Sequence, residues 1–250
     1  MQILAIDSSA LVASVAIVED DGKAGAKTLA EYTVNHRKTH SQTLLPMLDE
    51  IVKMTEFSLE GLDAIAVAGG PGSFTGLRIG SATAKGLGLA LGKPLIHIPT
   101  LEALAYNLWG TDGIVCPIMD ARRNQVYTGI YEFVDGKLGT LMRQTAMGIE
   151  ELAEKLCVYD REINFLGDGV LVHRENLEKS LMAGKRIRFA PAHMAYQRAA
   201  SVGALALEYF REGRTETAAE HKPDYLRPSQ AERERAQREK AAKESAGEVS

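Results

Sequence analysis

A glycine-rich stretch at residues 68–78, Ala-Gly-Gly-Pro-Gly-Ser-Phe-Thr-Gly-Leu-Arg, has the composition and spacing best suited to anion chemistry. Its glycines permit backbone angles and close approaches that other residues resist; they are Gly69, Gly70, Gly72 and Gly76. Backbone N–H groups in such a turn can surround a phosphate. No lysine follows in the Walker A pattern, so the stretch predicts either a phosphate-binding loop of another kind or a packing surface.

A second candidate for phosphate chemistry is the turn Asp7-Ser8-Ser9. Its carboxylate could hold a magnesium-bound water, or it could end a strand and cap local N–H groups. The corresponding turn at 120–124, Asp-Ala-Arg-Arg-Asn, lacks the glycine and hydroxyl pair that would complete a phosphate clamp. We therefore predict no resident cofactor and only weak, vestigial binding of an adenine nucleotide. The residues predicted to contact it are Asp7, Ser8, Ser9, Gly69 and Gly70.

Histidine spacing gives little support for a metal centre. His36 and His40 are four residues apart, but the zinc-protease pattern needs a glutamate where Arg37 stands. His97 has no second histidine at helical spacing, and a single ligand does not make a metal site. No histidine is placed to activate Ser73 as a nucleophile. We expect neither a metal site nor a catalytic residue.

Composition predicts a soluble globular protein. The 250 residues are 45% hydrophobic and 25% charged, with a net charge of −4 that argues against a surface coating nucleic acid. No signal peptide and no apolar run long enough to cross a membrane are visible, so a cytoplasmic protein without membrane contact is expected. Cys116 and Cys157 are predicted to be reduced residues of the core.

The elements that position these residues repeat the same order in both halves of the chain. Strands are predicted at 3–6, 12–18, 28–34, 63–68, 94–98, 114–119, 125–133, 138–144 and 163–166. Helices are predicted at 42–54, 79–91, 100–109 (capped by Thr100), 149–156 and 199–211. Each half begins with a strand, an aspartate, a short turn and a second strand. This order favours duplication over a single doubly wound sheet.

The duplicated plan resembles the superfamily of actin, sugar kinases and heat-shock chaperone ATPases. The predicted fold is therefore α/β, with duplicated actin-like (ribonuclease H-like) units of mixed sheets flanked by helices. The units are expected at 1–110 and 111–228, with the helix near 199–211 packing back on the first unit. Residues 229–250 form a polar tail that is either a solvated helix or disordered, and disorder is expected because the tail offers no apolar face.

Five motifs carry a closer resemblance: Ile-Asp-Ser-Ser at 6–9, His-Ser-Gln-Thr-Leu-Leu-Pro at 40–46, the glycine motif at 70–78, Asp-Ala-Arg-Arg at 120–123 and Pro-Asp-Tyr-Leu-Arg at 223–227. Together they resemble the TsaB (YeaZ) family of bacterial tRNA threonylcarbamoyladenosine biosynthesis proteins, over roughly residues 1–228. The resemblance implies a non-catalytic subunit that binds and activates a catalytic paralogue, TsaD, which modifies the adenosine beside the tRNA anticodon. It also implies an ATPase partner, TsaE, and contact with tRNA only through the complex.

The resemblance further implies that two helices of the first unit pair with their counterparts on the TsaD-type paralogue. The residues expected at that interface are Leu44, Leu48, Ile51, Gly80, Ala84 and Gly88. The same surface would form a homodimer when the protein is alone. The alternative is that both stripes are core. The alternative function is an autonomous actin-like ATPase or small-molecule kinase, which would bind nucleotide and depend on Asp7.

Overall fold

Two five-stranded sheets, one from each half of the chain, form the framework. The protein is represented by a computed structural model that describes residues 1–23, 25–36 and 38–227. The predicted tail at 229–250 lies outside these residues. The first sheet comprises β1 (Gln2–Asp7), β2 (Ala13–Asp20), β3 (Ala26–Val34), β4 (Ala64–Gly70) and β5 (Leu95–Pro99). The second comprises β6 (Ile114–Asp120), β7 (Gln125–Val134), β8 (Lys137–Gly148), β9 (Ile163–Leu166) and β10 (Ile187–Phe189).

Both sheets have the same topology. The first has the order β3-β2-β1-β4-β5, in which β1, β2 and β3 form an antiparallel meander and β4 and β5 continue parallel to β1. The second has the order β10-β9-β6-β7-β8, with the meander formed by β6, β7 and β8. This repetition confirms the predicted duplicated actin-like fold.

Helices cover both faces of the first sheet, which is why its central strands are apolar throughout. One face packs against α1 (His40–Thr55) and α2 (Phe74–Leu91). The other packs against α3 (Thr100–Tyr106) and α6 (Ala199–Arg211). The second sheet carries α4 (Ile149–Leu156) and α5 (Gly169–Asn176), and α5 runs into a π-helical turn at Leu177–Leu181.

The structure corrects several element boundaries. Helix α2 begins at Phe74 rather than at 79, because the Ser73 hydroxyl accepts a hydrogen bond from Gly76 N over 3.3 Å and caps the first turn. Thr100 does not cap α3, because its Oγ1 accepts a hydrogen bond from Gly70 N. Helix α3 ends at Tyr106.

Two further expectations can be compared with the structure. Cys116 is buried, as predicted, but Cys157 is exposed because it follows the last residue of α4. The prediction of a core position for Cys157 is therefore wrong. Among the described residues, none of the helices has both the length and the apolar character needed to cross a bilayer.

Candidate functional site at the cleft between the two sheets

A cleft of about 680 Å³ lies where the two halves of the chain meet. The cleft lies at the ends of β1 and β6 and at the beginnings of α1 and α2. In each half, the turn after the first strand lies at this edge of its sheet. Residues lining it from the first half include Ser9, His40, Ser73 and Phe74. Those from the second half and from the segment after α6 include Asp120, Arg122, Asp168, Asp224 and Arg227.

The turn after β1 is held by its own hydrogen bonds. Asp7 is buried, and its Oδ1 accepts hydrogen bonds from Ser9 N (2.9 Å) and Ser9 Oγ (2.6 Å). Burial raises the pKa of Asp7 from 3.8 to about 6, against the lowering effect of these bonds and of His40. Ser8 Oγ donates to Gly76 O over 2.9 Å. Of the three predicted residues in this turn, Ser9 lines the cleft, whereas Asp7 and Ser8 lie behind it.

The first two glycines of the motif, at the end of β4, are packed against other parts of the same chain. A Cβ atom at Gly69 would collide with the His97 imidazole, and one at Gly70 would collide with the carbonyl oxygen of Asp224. Gly70 also has φ 124°, a conformation that favours glycine. Its N–H donates to Thr100 Oγ1 over 3.1 Å, and its carbonyl oxygen accepts from Gln144 Nε2 over 3.1 Å.

The next two glycines bring the start of α2 against the turn after β1. A Cβ atom at Gly72 would collide with the carbonyl oxygen of Ser9, and one at Gly76 with that of Ser8. Ser73 N donates to the same Ser9 oxygen over 2.6 Å. The glycine motif therefore makes its close contacts with other segments of the same chain.

The segment after α6 crosses both halves of the chain, a placement that sequence reasoning missed. Asp224 N donates to Gly69 O over 2.7 Å, and the Tyr225 ring lies 4.7 Å from that of Phe74. Arg227 Nη1 then donates to Ala121 O over 3.0 Å. The motif at 223–227 was the available signal, but its residue types did not indicate where it would pack.

The second half contributes a constrained turn between β6 and β7. Three consecutive residues, Arg122, Arg123 and Asn124, have φ values of 63°, 55° and 58°, in the left-handed region. Asp120 Oδ1 accepts from Arg122 N over 2.7 Å, while Asp120 N donates to Asp168 Oδ1 over 3.1 Å. Burial raises the pKa of Asp168. The cleft thus combines carboxylates from the second half with basic side chains from both sides.

Comparison with known proteins places the chain in a family. Residues 27–235 match the family model described as TsaD: tRNA N6-adenosine threonylcarbamoyltransferase. The tRNA threonylcarbamoyladenosine biosynthesis protein TsaB of Bacillus subtilis is 35% identical over 234 residues, which cover 93% of this chain and 96% of the relative. The chain belongs to the TsaB family.

Two other comparisons agree with membership of the TsaB family. The TsaB protein of Haemophilus influenzae is 31% identical over 238 residues, covering 91% of this chain and 94% of that protein. The solved structure of YeaZ from Pseudomonas aeruginosa superposes with a TM-score of 0.75 at 26% identity, covering 90% of this chain and 99% of the other. The resemblance expected from the five motifs is confirmed.

The structure of this TsaB-family chain places the six expected interface residues inside its own core. Leu44, Leu48, Ile51, Gly80, Ala84 and Gly88 are all buried. A Cβ atom at Gly80 would collide with Ser8 Oγ, and one at Gly88 would lie 3.0 Å from Leu95 Cδ2. These residues pack α1 and α2 on the first sheet, so a partner would meet the opposite faces of the two helices.

The outward stripe of α1 and α2, defined here as Leu45, Ala82, Gly86 and Leu89, is exposed. Leu45 is 58% exposed and Leu89 is 72% exposed. A Cβ atom at Gly86 would meet open space. The helical periodicity was visible in the sequence, but the choice of face required knowledge of which side the sheet covers.

The structure places His97 next to a second histidine, which the sequence spacing did not predict. His40 Nε2 lies 2.7 Å from the carbonyl oxygen of Ala10, so His40 is bonded within the cleft wall. His97 does not stand alone: it lies with Glu216 and His221, and one ligand atom from each falls within 4.8 Å of the others. Sequence spacing could not show this cluster because β5 and the segment after α6 meet only in the folded chain.

Proposed function

We propose that this chain is a non-catalytic subunit that binds and activates a TsaD-type transferase. The reaction served is threonylcarbamoylation of the adenosine adjacent to the tRNA anticodon, in the cytoplasm. In this proposal a TsaE-type ATPase is a further partner, and tRNA is met only through the complex. Membership of the TsaB family and the match to the TsaD family model support the proposal.

The observation that carries the non-catalytic role is the packing of the glycine loop. A loop that cradles phosphate needs free backbone N–H groups and open space beside its glycines. Here Gly70 N is bonded to Thr100, and Asp224 and His97 fill the space beside Gly70 and Gly69. Ser9 N and Ser9 Oγ are both bonded to Asp7. Groups that would bind a triphosphate stabilise the chain's own fold instead.

The outward stripe is the surface we assign to the partner. Helices α1 and α2 contact each other on one face of the first sheet, and the residues of the outward stripe are exposed on these two helices. Ala82 and Gly86 allow a partner helix to approach closely, and the two leucines add apolar area worth roughly 25 cal/mol per Å² buried. In the absence of the paralogue the same surface would pair two copies of this chain.

The decisive experiment changes the outward stripe and leaves the core intact. Ala82→Arg should abolish co-elution with the TsaD-type paralogue and reduce threonylcarbamoyladenosine formation in a reconstituted assay by at least about tenfold. Leu171→Arg is the matched control, since Leu171 is 75% exposed on α5 in the other half. Undiminished binding by Ala82→Arg, with its fold intact by circular dichroism, would reject the proposed surface.

Self-association gives an independent measure of the same surface. The isolated chain should be a homodimer by light scattering at micromolar concentration, and Ala82→Arg should shift it to a monomer. A wild-type chain that stays monomeric at all concentrations would contradict the predicted homodimer. The co-elution experiment would still test the interaction with the paralogue.

The cleft itself favours a second, weaker activity, namely adenine-nucleotide binding. It is large enough for a small ligand, and Ser73 caps the 18-residue helix α2 at its wall, where the helix dipole favours an anion. Isothermal titration of the isolated chain with ADP and ATP tests this. ATP turnover abolished by Asp7→Ala would instead support an autonomous ATPase or kinase.

A further inference from the structure

A cluster of histidines and carboxylates lies at the edge of the first sheet. His97 extends from β5, while Glu216 and His221 belong to the segment after α6. Two backbone hydrogen bonds between Leu95 and Glu216, of 2.8 and 2.9 Å, hold that segment against β5. One ligand atom from each of the three side chains lies within 4.8 Å of the others. The fold therefore fixes the cluster from both sides.

His221 has an unused nitrogen in this cluster. Its side chain is buried, its Nδ1 lies 2.6 Å from Glu216 Oε1, and its Nε2 has no hydrogen-bond partner among the described residues. When Nδ1–H donates to the carboxylate, the lone pair of the neutral ring is left on Nε2. Proteins orient metal-binding histidines in this way, with a carboxylate on one ring nitrogen and the metal on the other.

Two distances among His97, His221 and Asp224 match those around a tetrahedral metal ion. The ring centres of His97 and His221 are 5.6 Å apart, and two imidazoles on one Zn²⁺ would place their centres about 5 Å apart. Asp224 Oδ2 lies 3.4 Å from His97 Nε2, and two ligand atoms of a tetrahedral Zn²⁺ are about 3.4 Å apart. The His97 side chain is 23% exposed, so an ion has a route in from solvent.

We propose that His97, His221 and Asp224 bind a Zn²⁺ ion, with Glu216 as the positioning carboxylate of His221. Two imidazoles and a carboxylate suit Zn²⁺, whereas Mg²⁺ and Ca²⁺ prefer oxygen ligands throughout. A fourth position would be taken by water. The proposed site shares Asp224 with the wall of the cleft, but it does not depend on the proposed function.

The ion would connect β5 to the segment after α6, beside the glycine motif. Asp224 donates its N–H to Gly69, and His97 packs on Gly69, so two of the three proposed ligands contact the same glycine. Bound Zn²⁺ would therefore secure the C-terminal segment across the first half of the molecule. This predicts a metal whose role is structural.

The test uses the full chain without an affinity tag, stripped of metal by a chelator. Titration with ZnCl₂ should give one ion per chain, and Zn²⁺ at 100 times Kd should raise Tm by about 5 to 10 °C. Co²⁺ in place of Zn²⁺ should give the intense visible absorption of a four-coordinate site. Wild-type protein that binds neither ion with a Kd below about 100 µM would overturn the proposal.

Variants locate the site. His97→Gln should weaken Zn²⁺ binding at least about 100-fold and Glu216→Gln about 10- to 100-fold. His193→Gln, a change at an exposed histidine outside the cluster, should leave binding unchanged. Asp224→Asn, at a side chain 57% exposed, provides a ligand variant that does not disturb the core. Equal binding by the wild type, His97→Gln and Asp224→Asn, all folded by circular dichroism, would exclude this cluster.

Discussion

Asp224 donates its backbone N–H to the carbonyl oxygen of Gly69 over 2.7 Å, joining the segment after α6 to the end of β4. The contact is possible because Gly70 has no side chain, since a Cβ atom there would collide with the carbonyl oxygen of Asp224. The glycine motif, which on composition alone suited a phosphate as well as a packing surface, here accommodates protein backbone.

Gly70→Ala should lower the free energy of unfolding by about 2–4 kcal/mol. Alanine at this position would have to adopt φ 124°, and its Cβ atom would collide with the carbonyl oxygen of Asp224. Chemical denaturation measures the change. Gly86→Ala is the matched control, because a Cβ there meets open space and alanine favours a helix, so it should stabilise by about 0.5–1 kcal/mol. Equal effects of the two substitutions would contradict the packing described for Gly70.

Asp7→Asn should stabilise the protein at pH 7.5 and remove part of its pH dependence. The folded-state pKa of Asp7 is raised from 3.8 to about 6 by burial, so folding favours the protonated carboxyl. This contribution is complete below pH 3.8 and is lost as the pH rises to about 6. An amide keeps the acceptor oxygen for Ser9 without the charge. We expect a gain of about 2 kcal/mol at pH 7.5.

Thermal unfolding between pH 4 and 8 measures this effect. Asp49→Asn serves as the control, because Asp49 is exposed on α1 and its replacement should leave the pH profile nearly unchanged. A profile for Asp7→Asn that runs parallel to the wild type across this range would show that Asp7 titrates normally.

Arg123→Gly should stabilise the turn between β6 and β7 by about 0.5–1 kcal/mol. Arg123 is exposed and has φ 55°, which glycine adopts without a steric penalty. The matched control is Arg143→Gly, also exposed but within β8, where glycine weakens a strand. We expect the denaturation midpoint to rise for Arg123→Gly and to fall for Arg143→Gly. A loss of stability in both variants would refute backbone strain at Arg123.

Ala84→Arg should unfold the chain or cost at least about 4 kcal/mol, whereas Ala82→Arg should change stability by less than about 1 kcal/mol. Ala84 is fully buried against the sheet and Ala82, two positions earlier on α2, is exposed. Urea denaturation of the two variants measures the difference. Comparable stability of both would mean that α2 is rotated from the orientation described.

Much of the fold could be predicted because local patterns and packing agree. The strand at 163–166 and the helices at 149–156 and 199–211 have the bounds that their apolar periodicity indicated. Helix α2 begins earlier than predicted because the cap at Ser73 outweighs the unfavourable helix propensity of Gly76. The helix at Gly169–Asn176 was missed because its outer face exposes Leu171 and Val172, which breaks the amphipathic pattern.

The candidate sites were less predictable because they depend on contacts between distant segments. Periodicity showed that α1 and α2 each carry apolar stripes, but not which stripe would face the sheet. Thr100 has a typical capping side chain, yet its hydroxyl bonds to Gly70 across the sheet edge. Likewise, His97 and His221 share no motif spacing, and only the pairing of Leu95 with Glu216 brings them together.

Helix α6 returns to the first sheet after the whole second half has been built, and its Val202 and Leu205 pack beside Ile3 and Ala5. During translation, β1 and β2 therefore leave the ribosome long before α6, the helix that covers one face of these strands. Until residues 199–211 emerge, that apolar side must remain bare or be shielded by a chaperone. An N-terminal fragment expressed without residues 199–211 would keep this apolar face of its sheet exposed and would be prone to aggregate.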